Sequence, residues 1–348
     1  MEAVRYVFDV DGKEVYLITL KNKNGIEVKL LNYGAAVVEL LVPDREGNAE
    51  NVVLTYENIE DYIKNPPYIG AVLGRTAGRI ADGEFTLDGQ KYQLNRNFVV
   101  SQCHGGDKGF SFKVWNYRLL EGKAKTGVEF TYLSKDMEEG YPGNLEAKVT
   151  YTLTENNELS IEYEAISDKN TLCNLTNHTY FNLSGSYKRK VTEQYLRVKA
   201  ENFLESDKNL IPTGKLIKVD NTPMDFRESK LIGRDIESDY EAVRAANGYD
   251  CVLMLKDEKS QIELYDELSG RKMTVGTTYP CAVIYTYNFA NGEKLKYGKT
   301  GSKYDGICFE TQYEPDGINH DNFNSAILTA GSKYCHKTVF SFTTTREV

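Results

Sequence analysis

Residues 145–167, LEAKVTYTLTENNELSIEYEAIS, indicate most clearly which fold this chain adopts. Apolar side chains occupy every second position over residues 149–153 and again over residues 159–163, and the polar triplet ENN separates the two runs. Because successive side chains of a strand point to opposite faces of a sheet, this alternation predicts two strands, each with one buried face. The polar triplet predicts the turn of an antiparallel hairpin.

The same pattern recurs along the chain. GEFTLDGQKYQLNRN, residues 83–97, predicts a second hairpin around an Asp-Gly turn, and YRLLEGKAKTGVEFTYLS, residues 117–134, predicts a third. Further strand-like runs are TVGTTYPCAVIYTYNFA at residues 274–290 and TVFSFTTT at residues 338–345. Strands are therefore expected from the first third of the chain to its end.

Helical periodicity is weak and is confined to short turns near residues 59–66 and 229–236. The chain has no linker rich in Pro, Gly and Ser and no repeat of fixed period. Many strands without a boundary predict an all-β fold, one large antiparallel β-sandwich that spans residues 1–348 as a single domain. A β-barrel or a propeller is the alternative, although no blade repeat is visible.

The overall composition excludes several classes of partner. The 348 residues are 41 % hydrophobic, which is enough for a sizeable core, and the formal net charge of −9 disfavours nucleic acids and anionic membrane surfaces. No segment approaches 18 apolar residues, and the N-terminus lacks the pattern of a signal peptide. Six scattered cysteines without C-x-x-C spacing then suggest reduced thiols. We expect a cytoplasmic protein with no membrane partner.

One histidine lies in an unusual setting. NLTNHTYFNLSG, residues 174–185, surrounds His178 with amides, hydroxyls and two aromatic rings, and its flanks read as strands. Sugars present hydroxyls on their edges and C–H groups on their faces, so this mixture suits a sugar site. From this segment alone, a hydrogen-bonded structural histidine at a strand end is the favoured interpretation.

Four other stretches carry candidate functional residues. Arg75 and Arg79 are bracketed by glycines in YIGAVLGRTAGRIADGEF, and His104 precedes a Gly-Gly loop in SQCHGGDKGFSFKVW. Asp250 stands before an apolar strand in AANGYDCVLML, where it could also be an ordinary turn acid. Glu310 continues the buried-looking strand of GICFETQYEPDGINH, and a buried carboxylate costs free energy unless it is hydrogen-bonded or functional.

These residues permit several chemistries. His104, His178 and Glu310 could in principle bind a metal, but no short ligand spacing such as H-x-H or H-E-x-x-H exists, so we expect no metal. A serine hydrolase would need a G-x-S-x-G elbow, which is missing. A glycosidase would need two carboxylates, and Glu310 with Asp250 leaves that option open.

Taken in order, seven stretches resemble the aldose 1-epimerase family, also called galactose mutarotase. They are GAVLGRTAGRI, CHGGDKGF, YPG at residues 141–143, NLTNHTYFNLSG, PMDFR at residues 223–227, NGYD and ETQYEPDGINH. The resemblance runs from about residue 30 to the C-terminus, and it is most specific around His178 and Glu310. It implies one large antiparallel β-sandwich and an isomerase that interconverts the α and β anomers of free aldoses such as galactose and glucose.

The resemblance also implies roles for individual residues. Glu310 is expected to be the general base and His178 the general acid, with the carboxylate favouring a charged histidine and an arginine favouring an ionised Glu310. His104, Asp250 and Arg79 are expected to bind the sugar. Further sugar contacts are suggested for Arg75 and Asn177. No metal, nucleotide or other cofactor is required, and the expected partner is a monosaccharide bound by a monomer or homodimer.

Two positions depart from the family pattern, and two other functions stay open. Many members have Asn where this chain has Gly78, and some have Gln near Val283, so the preferred sugar is left undetermined. No role is assigned to residues 295–306. A hexose-6-phosphate 1-epimerase would need a basic cluster, for which Arg75, Arg79 and Lys108 are candidates. A non-catalytic carbohydrate-binding protein of the same fold is the other alternative.

Overall fold

The computed structural model describes residues 3–122 and 125–345. The predicted central hairpin is present, because strands Leu145–Thr154 and Glu158–Ser167 pair antiparallel and bury their alternating apolar side chains. The hairpin lies within a nine-stranded sheet. In spatial order its strands are Asn116–Gly122, Lys125–Ser134, Leu145–Thr154, Glu158–Ser167, Lys333–Thr344, Arg271–Thr277, Ile262–Tyr265, Tyr195–Val198 and Lys230–Leu231.

Two further sheets complete the main architecture. The six-stranded sheet has the order Tyr180–Phe181, Ile307–Gln312, Cys281–Tyr285, Asp250–Leu255, Ala200–Ser206 and Pro212–Lys218. The five-stranded sheet has the order Val4–Val10, Lys13–Lys21, Glu27–Leu31, Ala36–Pro43 and Ala49–Asn51. The two-stranded ladders are Gln102–Cys103 with Arg79–Ile80, Thr171–Leu172 with Ile327–Leu328, Thr176–Asn177 with Val72–Leu73, Lys294–Leu295 with Lys299–Thr300, and Glu84–Leu87 with Gln90–Gln93.

Helices are few and short, as the weak helical periodicity predicts. The described residues contain one α-helix, Glu241–Ala246, which is too short to give a periodic signal in the sequence. The 3₁₀ turns are Ile59–Ile63, Ala81–Gly83, Phe110–Phe112, Glu138–Gly140, Val191–Glu193, Ile232–Arg234 and Gly317–Asn319. No helix in residues 3–122 and 125–345 is long and apolar enough to cross a membrane.

The largest apolar cluster joins the inner faces of the three large sheets. It includes Val28 of the five-stranded sheet, Val149 and Ile161 of the nine-stranded sheet, and Leu253 and Ile284 of the six-stranded sheet. All five side chains are fully buried or within 1 % of it. Packing of sheets across one shared core confirms the predicted all-β antiparallel sandwich.

The six-stranded sheet has two different faces. Phe309 belongs to the apolar core, whereas its strand neighbour Glu310 points the other way, because successive side chains alternate. Strand register places Glu310 opposite Val283, and Val283 opposite Val252. In the adjacent row, Cys308 lies opposite Tyr285. One face of this sheet therefore closes the core, and the other supplies the floor of a cavity.

Candidate active site

A cavity of about 440 Å³ lies on the outer face of the six-stranded sheet. Its lining includes all five residues that the sequence suggested most strongly, which are Glu310, His178, His104, Asp250 and Arg79. They come from five separate parts of the chain, so the fold brings together groups that lie up to 231 positions apart in the sequence, from residue 79 to residue 310. A pocket of this size and mixed polarity is suited to a small ligand.

Glu310 and His178 form one close pair of titratable groups in the cavity. The Oε1 atom of Glu310 lies 3.4 Å from Nε2 of His178, and both residues are 3 % exposed. The backbone of His178 is fixed, because its N–H donates to the carbonyl of Ala71 and its carbonyl accepts from the N–H of Gly70. The second carboxyl oxygen of Glu310, Oε2, is buried without a hydrogen-bond partner among the described residues. A bound ligand could supply that partner.

Burial controls the protonation of this pair. Burial, reinforced by the charge of Asp250, raises the pKa of Glu310 to about 8, although Arg79 opposes the shift. Burial also lowers the pKa of His178 to about 3. The expectation of an ionised Glu310 beside a charged His178 is therefore wrong in this structure, because desolvation outweighs the neighbouring charges. At neutral pH the pair holds one transferable proton besides the N–H proton of the neutral imidazole, and that transferable proton resides on the carboxyl group.

His104 is held in one tautomer by the neighbouring loop. Strand Gln102–Cys103 pairs with Arg79–Ile80, and His104, the next residue, donates its backbone N–H to the carbonyl of Gly78. In return, the N–H of Gly78 donates to Nδ1 of His104 over 3.3 Å. Burial, together with nearby His178 and Arg79, lowers the pKa of His104 well below its usual range. Neutral His104 therefore carries its proton on Nε2, as a hydrogen-bond donor.

Arg79 and Asp250 form a second charged pair. The Nη2 atom of Arg79 lies 3.3 Å from Oδ2 of Asp250, and the guanidinium carbon of Arg79 lies 4.9 Å from the ring centre of Phe98. Burial works against the charge of Arg79, yet Asp250 is near enough for the pKa of Arg79 to be raised overall. The Nε atom of Arg79 is buried without a hydrogen-bond partner among the described residues. The pair thus offers one more unused donor beside the cavity.

Aromatic rings form much of the cavity wall. The ring of Tyr180 lies 4.9 Å from that of His178, Tyr68 lies 5.0 Å from His104, and Tyr285 lies 6.0 Å from His178, measured between ring centres. The ring of Tyr180 beside His178 is evident in the sequence, whereas Tyr68 and Tyr285 are not predicted to lie in the site. The sequence features that could have indicated them are the glycine-rich stretch that begins at Tyr68 and the apolar strand that contains Tyr285.

Comparison with known proteins decides the family. A family model described as aldose 1-epimerase matches residues 16–341. The chain belongs to the aldose 1-epimerase family. It is 39 % identical to galactose mutarotase of Bos taurus over 321 residues, 91 % of each chain, and 36 % identical to aldose 1-epimerase of Haemophilus influenzae over 338 residues, 95 % of this chain and 97 % of that one. Membership in the aldose 1-epimerase family makes the chain an enzyme of the isomerase class.

Solved structures agree with this assignment. A galactose 1-epimerase from Lactobacillus acidophilus superposes with a TM-score of 0.89 at 30 % identity, covering 99 % of this chain and 98 % of that one. An aldose epimerase homologue from C. elegans superposes with a TM-score of 0.87 at 29 % identity, covering 95 % and 99 %. The β-sandwich described above is therefore an aldose 1-epimerase fold over nearly its whole length.

The structure corrects the expectation that Arg75 contacts the sugar. Arg75 is 2 % exposed and does not line the cavity of this aldose 1-epimerase. Its Nε donates to Oγ of Ser134 over 2.9 Å. Its other donors bond the carbonyls of Ser134, Lys135, Pro142 and Gly143. Arg75 therefore ties the loop around residue 140 to the glycine-rich stretch, and no donor is directed at a ligand.

Asn177 is likewise a structural residue. Its side-chain NH₂ group donates to the carbonyl of Gly70 over 2.7 Å and to the hydroxyl of Tyr151 over 3.2 Å. Its Oδ1 accepts from the backbone N–H of Thr179 over 3.0 Å and from the hydroxyl of that residue. The expectation that Asn177 contacts a sugar is therefore wrong, because its donors and acceptor are all used within the protein. Its contacts hold the turn that carries His178.

The two departures from the family pattern both lie at the cavity. Gly78 has φ of +72°, and a Cβ atom at this position would lie 2.7 Å from Cβ of Pro315. Glycine therefore lets the loop approach Pro315 closely. Val283 pairs with Glu310 in the sheet and exposes an apolar side chain to the floor of the cavity. This part of the floor offers a ligand a C–H surface in place of hydrogen-bonding groups.

His104, His178 and Glu310 form a cluster of three groups that could in principle bind a metal. Their ligand atoms lie within 4.8 Å of one another. However, Nδ1 of His104 accepts from the N–H of Gly78, so Nε2 carries the proton. A protonated ring nitrogen cannot bind a metal, and the alternative nitrogen is already used. The donor set of this aldose 1-epimerase therefore fits a metal poorly, and the expectation of no metal stays a prediction.

Proposed function

We propose that this enzyme interconverts the α and β anomers of free aldoses such as galactose and glucose, with Glu310 and His178 moving the protons. The observation that carries the proposal is that Glu310 lines a sugar-sized cavity with its buried Oε2 unpartnered among the described residues, while Oε1 lies 3.4 Å from Nε2 of His178. Ring opening requires that the C1 hydroxyl loses a proton and that the ring oxygen gains one. A carboxyl and an imidazole in contact can do both.

The single proton of the pair is sufficient for the reaction. Sugar hydroxyls that donate to Oε2 favour the carboxylate, so the proton of Glu310 moves to Nε2 of His178. The carboxylate then accepts the C1 proton while His178 donates to the ring oxygen, and the C1–O5 bond breaks to give the open aldehyde. Glu310 is now protonated and His178 neutral, which is the state that burial favours. Rotation about C1–C2 and the reverse transfers close the other anomer.

The remaining residues are proposed to bind and orient the sugar. Nε2–H of His104 and the guanidinium of Arg79 are donors for hydroxyls, and Asp250 is an acceptor. Tyr180 and Val283 supply flat or apolar surface for the C–H groups of the ring. Within the part of the chain that the structure describes, Nε of Arg79 and Oε2 of Glu310 are buried without hydrogen-bond partners, so both atoms are free to bond a sugar.

A phosphorylated substrate is not favoured by the charge of the cavity. Among the described residues that line it, Arg79 is the one arginine or lysine, and it is already paired with Asp250. The carboxyl groups of Glu293 and Glu310 lie in the same lining. A phosphate group would therefore meet more acids than bases. We also propose that the enzyme acts as a monomer or homodimer and that it is located in the cytoplasm.

Polarimetry tests the proposal directly. Freshly dissolved α-D-galactose or α-D-glucose should approach its equilibrium rotation faster with the protein and without added metal or cofactor. Glu310→Gln should lower the rate by about 10²–10⁴-fold, and His178→Asn by a similar factor, because each removes one proton-transfer group. Glu314→Gln changes a buried glutamate that does not line the cavity, so it is the matched control. Undiminished mutarotation in Glu310→Gln would refute the assignment.

A further inference from the structure

The two histidines of the cavity have different partners at Nδ1. Their rings lie 5.4 Å apart at an angle of 85°. At His104 the partner is the backbone N–H of Gly78, which can only donate. At His178 the partner is the sulfur of Cys308, and Sγ lies 3.3 Å from Nδ1. A thiol sulfur can accept a hydrogen bond as well as donate one, so this contact permits a proton on Nδ1.

Two contacts favour that proton position in His178. The sulfur of Cys308 is an acceptor 3.3 Å from Nδ1. On the other side of the ring, Nε2 faces Oε1 of Glu310, whose carboxyl group holds a proton at neutral pH. A protonated carboxyl group needs an acceptor, and Nε2 can accept only when the ring proton is on Nδ1.

We propose that Cys308 is a positioning residue that holds neutral His178 with its proton on Nδ1, the tautomer opposite to that of His104. The lone pair of Nε2 then faces Glu310 and the sugar, so His178 can take up and release the proton, whereas His104 can only donate a hydrogen bond. The tautomer of a histidine is set by the partner of its other nitrogen. The catalytic consequence of this inference rests on the function proposed above.

The sheet explains why one strand fixes both sides of the ring. Cys308 and Glu310 are two residues apart in strand Ile307–Gln312, so their side chains lie on the same face. Cys308 is fully buried and pairs in register with Tyr180, two residues after His178. Burial raises the pKa of the Cys308 thiol well above its usual range, so the sulfur keeps its own proton. The imidazole is therefore held between a neutral sulfur and a carboxyl group.

Substitution of Cys308 gives the kinetic test. Cys308→Ala should lower kcat for α-D-galactose by about 10-fold and leave KM within about 2-fold, as expected when the partner of a functional histidine is removed. Cys308→Ser keeps an acceptor, and its kcat should exceed that of the alanine variant by about 3-fold or more. Cys173→Ala is the matched control, because Cys173 is a buried cysteine of the apolar core that does not line the cavity. Equal kcat values for Cys308→Ala and Cys173→Ala would overturn the proposal.

Nitrogen NMR of histidine-labelled protein provides a readout that a merely structural role would not change. The chain has 4 histidines, so the signals of His104 and His178 can be assigned with single variants. In the sugar-free protein at pH 7, we expect the proton on Nδ1 in His178 and on Nε2 in His104, and a mixture of tautomers at His178 in Cys308→Ala. A proton on Nε2 of His178 in the unmodified protein would overturn the proposal. This spectrum decides the tautomer even if the protein fails to accelerate mutarotation, a failure that would refute only the proposed function.

Discussion

Replacing Glu310 with glutamine should stabilise the protein, by an amount that grows with pH. In the folded protein the pKa of Glu310 is raised from 4.5 to about 8, chiefly by burial. In the unfolded chain the carboxyl group ionises near its ordinary value. Below that value both states are protonated, and Glu310 imposes no ionisation cost. As pH rises towards 8, the unfolded state releases its proton while the folded state keeps it, so the folded state becomes progressively less favoured.

The size of the effect follows from these two pKa values. Each pH unit between them lowers the free energy of unfolding by about 1.4 kcal/mol, and the total above pH 8 is about 5 kcal/mol. At pH 7 the cost of Glu310 is therefore about 3 kcal/mol. Glutamine has the same shape and no charge, so Glu310→Gln removes this cost. The buried amide introduces an energy of its own, but that energy does not vary with pH.

Urea unfolding at pH 5, 6, 7 and 8 measures the prediction. The difference in free energy of unfolding between Glu310→Gln and the unmodified protein should increase by about 1.4 kcal/mol per pH unit. Comparison across pH cancels the constant cost of the amide. A difference that stays flat from pH 5 to pH 8 would refute the raised pKa of Glu310. It would also remove the argument that the shared proton resides on the carboxyl group.

Three other predictions concern the same neighbourhood. The value of kcat/KM should be constant below pH 7 and fall above about pH 8, because the pair of Glu310 and His178 then loses the proton that it transfers. Polarimetry at a series of pH values measures this dependence, and a rise in kcat/KM above pH 8 would contradict the prediction. Arg79→Met should lower kcat/KM by about 100-fold, because it removes a donor to the sugar. Arg75→Met should instead lower the free energy of unfolding by about 4 kcal/mol, because it leaves four carbonyl groups without their hydrogen-bond donor. Equal losses of kcat/KM per folded molecule in the two variants would contradict these separate roles. Gly78→Ala should lower the free energy of unfolding by about 1–3 kcal/mol, because the added Cβ would clash with Pro315. Urea unfolding measures this loss, and an unchanged urea midpoint would contradict the prediction by showing that the loop relaxes.

The strands could be predicted because their signals are local. The hairpin Glu84–Leu87 with Gln90–Gln93 lies where the Asp-Gly turn predicts it, and both turn residues, Asp88 and Gly89, have positive φ. The apolar run at residues 307–309 also identified Glu310 as a carboxylate in a buried strand, and Glu310 is the most informative single residue of the site. Helix Glu241–Ala246 was missed, because six residues give less than two turns of periodicity.

The rest of the site depends on contacts that no local pattern contains. Arg75 and Arg79 occupy similar glycine-flanked positions, yet one is surrounded by carbonyls and the other faces Asp250. Tyr285 reaches the cavity because its strand pairs with that of Cys308, a long-range match of register. The protonation of Glu310 was misjudged for the same reason, since the depth of its burial is set by the whole sheet.

Because strand Ile307–Gln312 has one apolar face and one catalytic face, enzymatic activity indicates whether this strand has paired correctly. If this strand paired one residue out of step, Cys308 and Glu310 would enter the core, and Ile307 and Phe309 would line the cavity. No partly active arrangement lies between these two, because side chains switch faces all at once. Recovery of mutarotation after denaturation should therefore count the molecules whose strands have paired in the native order, and refolding yields could be measured with a sugar solution and a polarimeter.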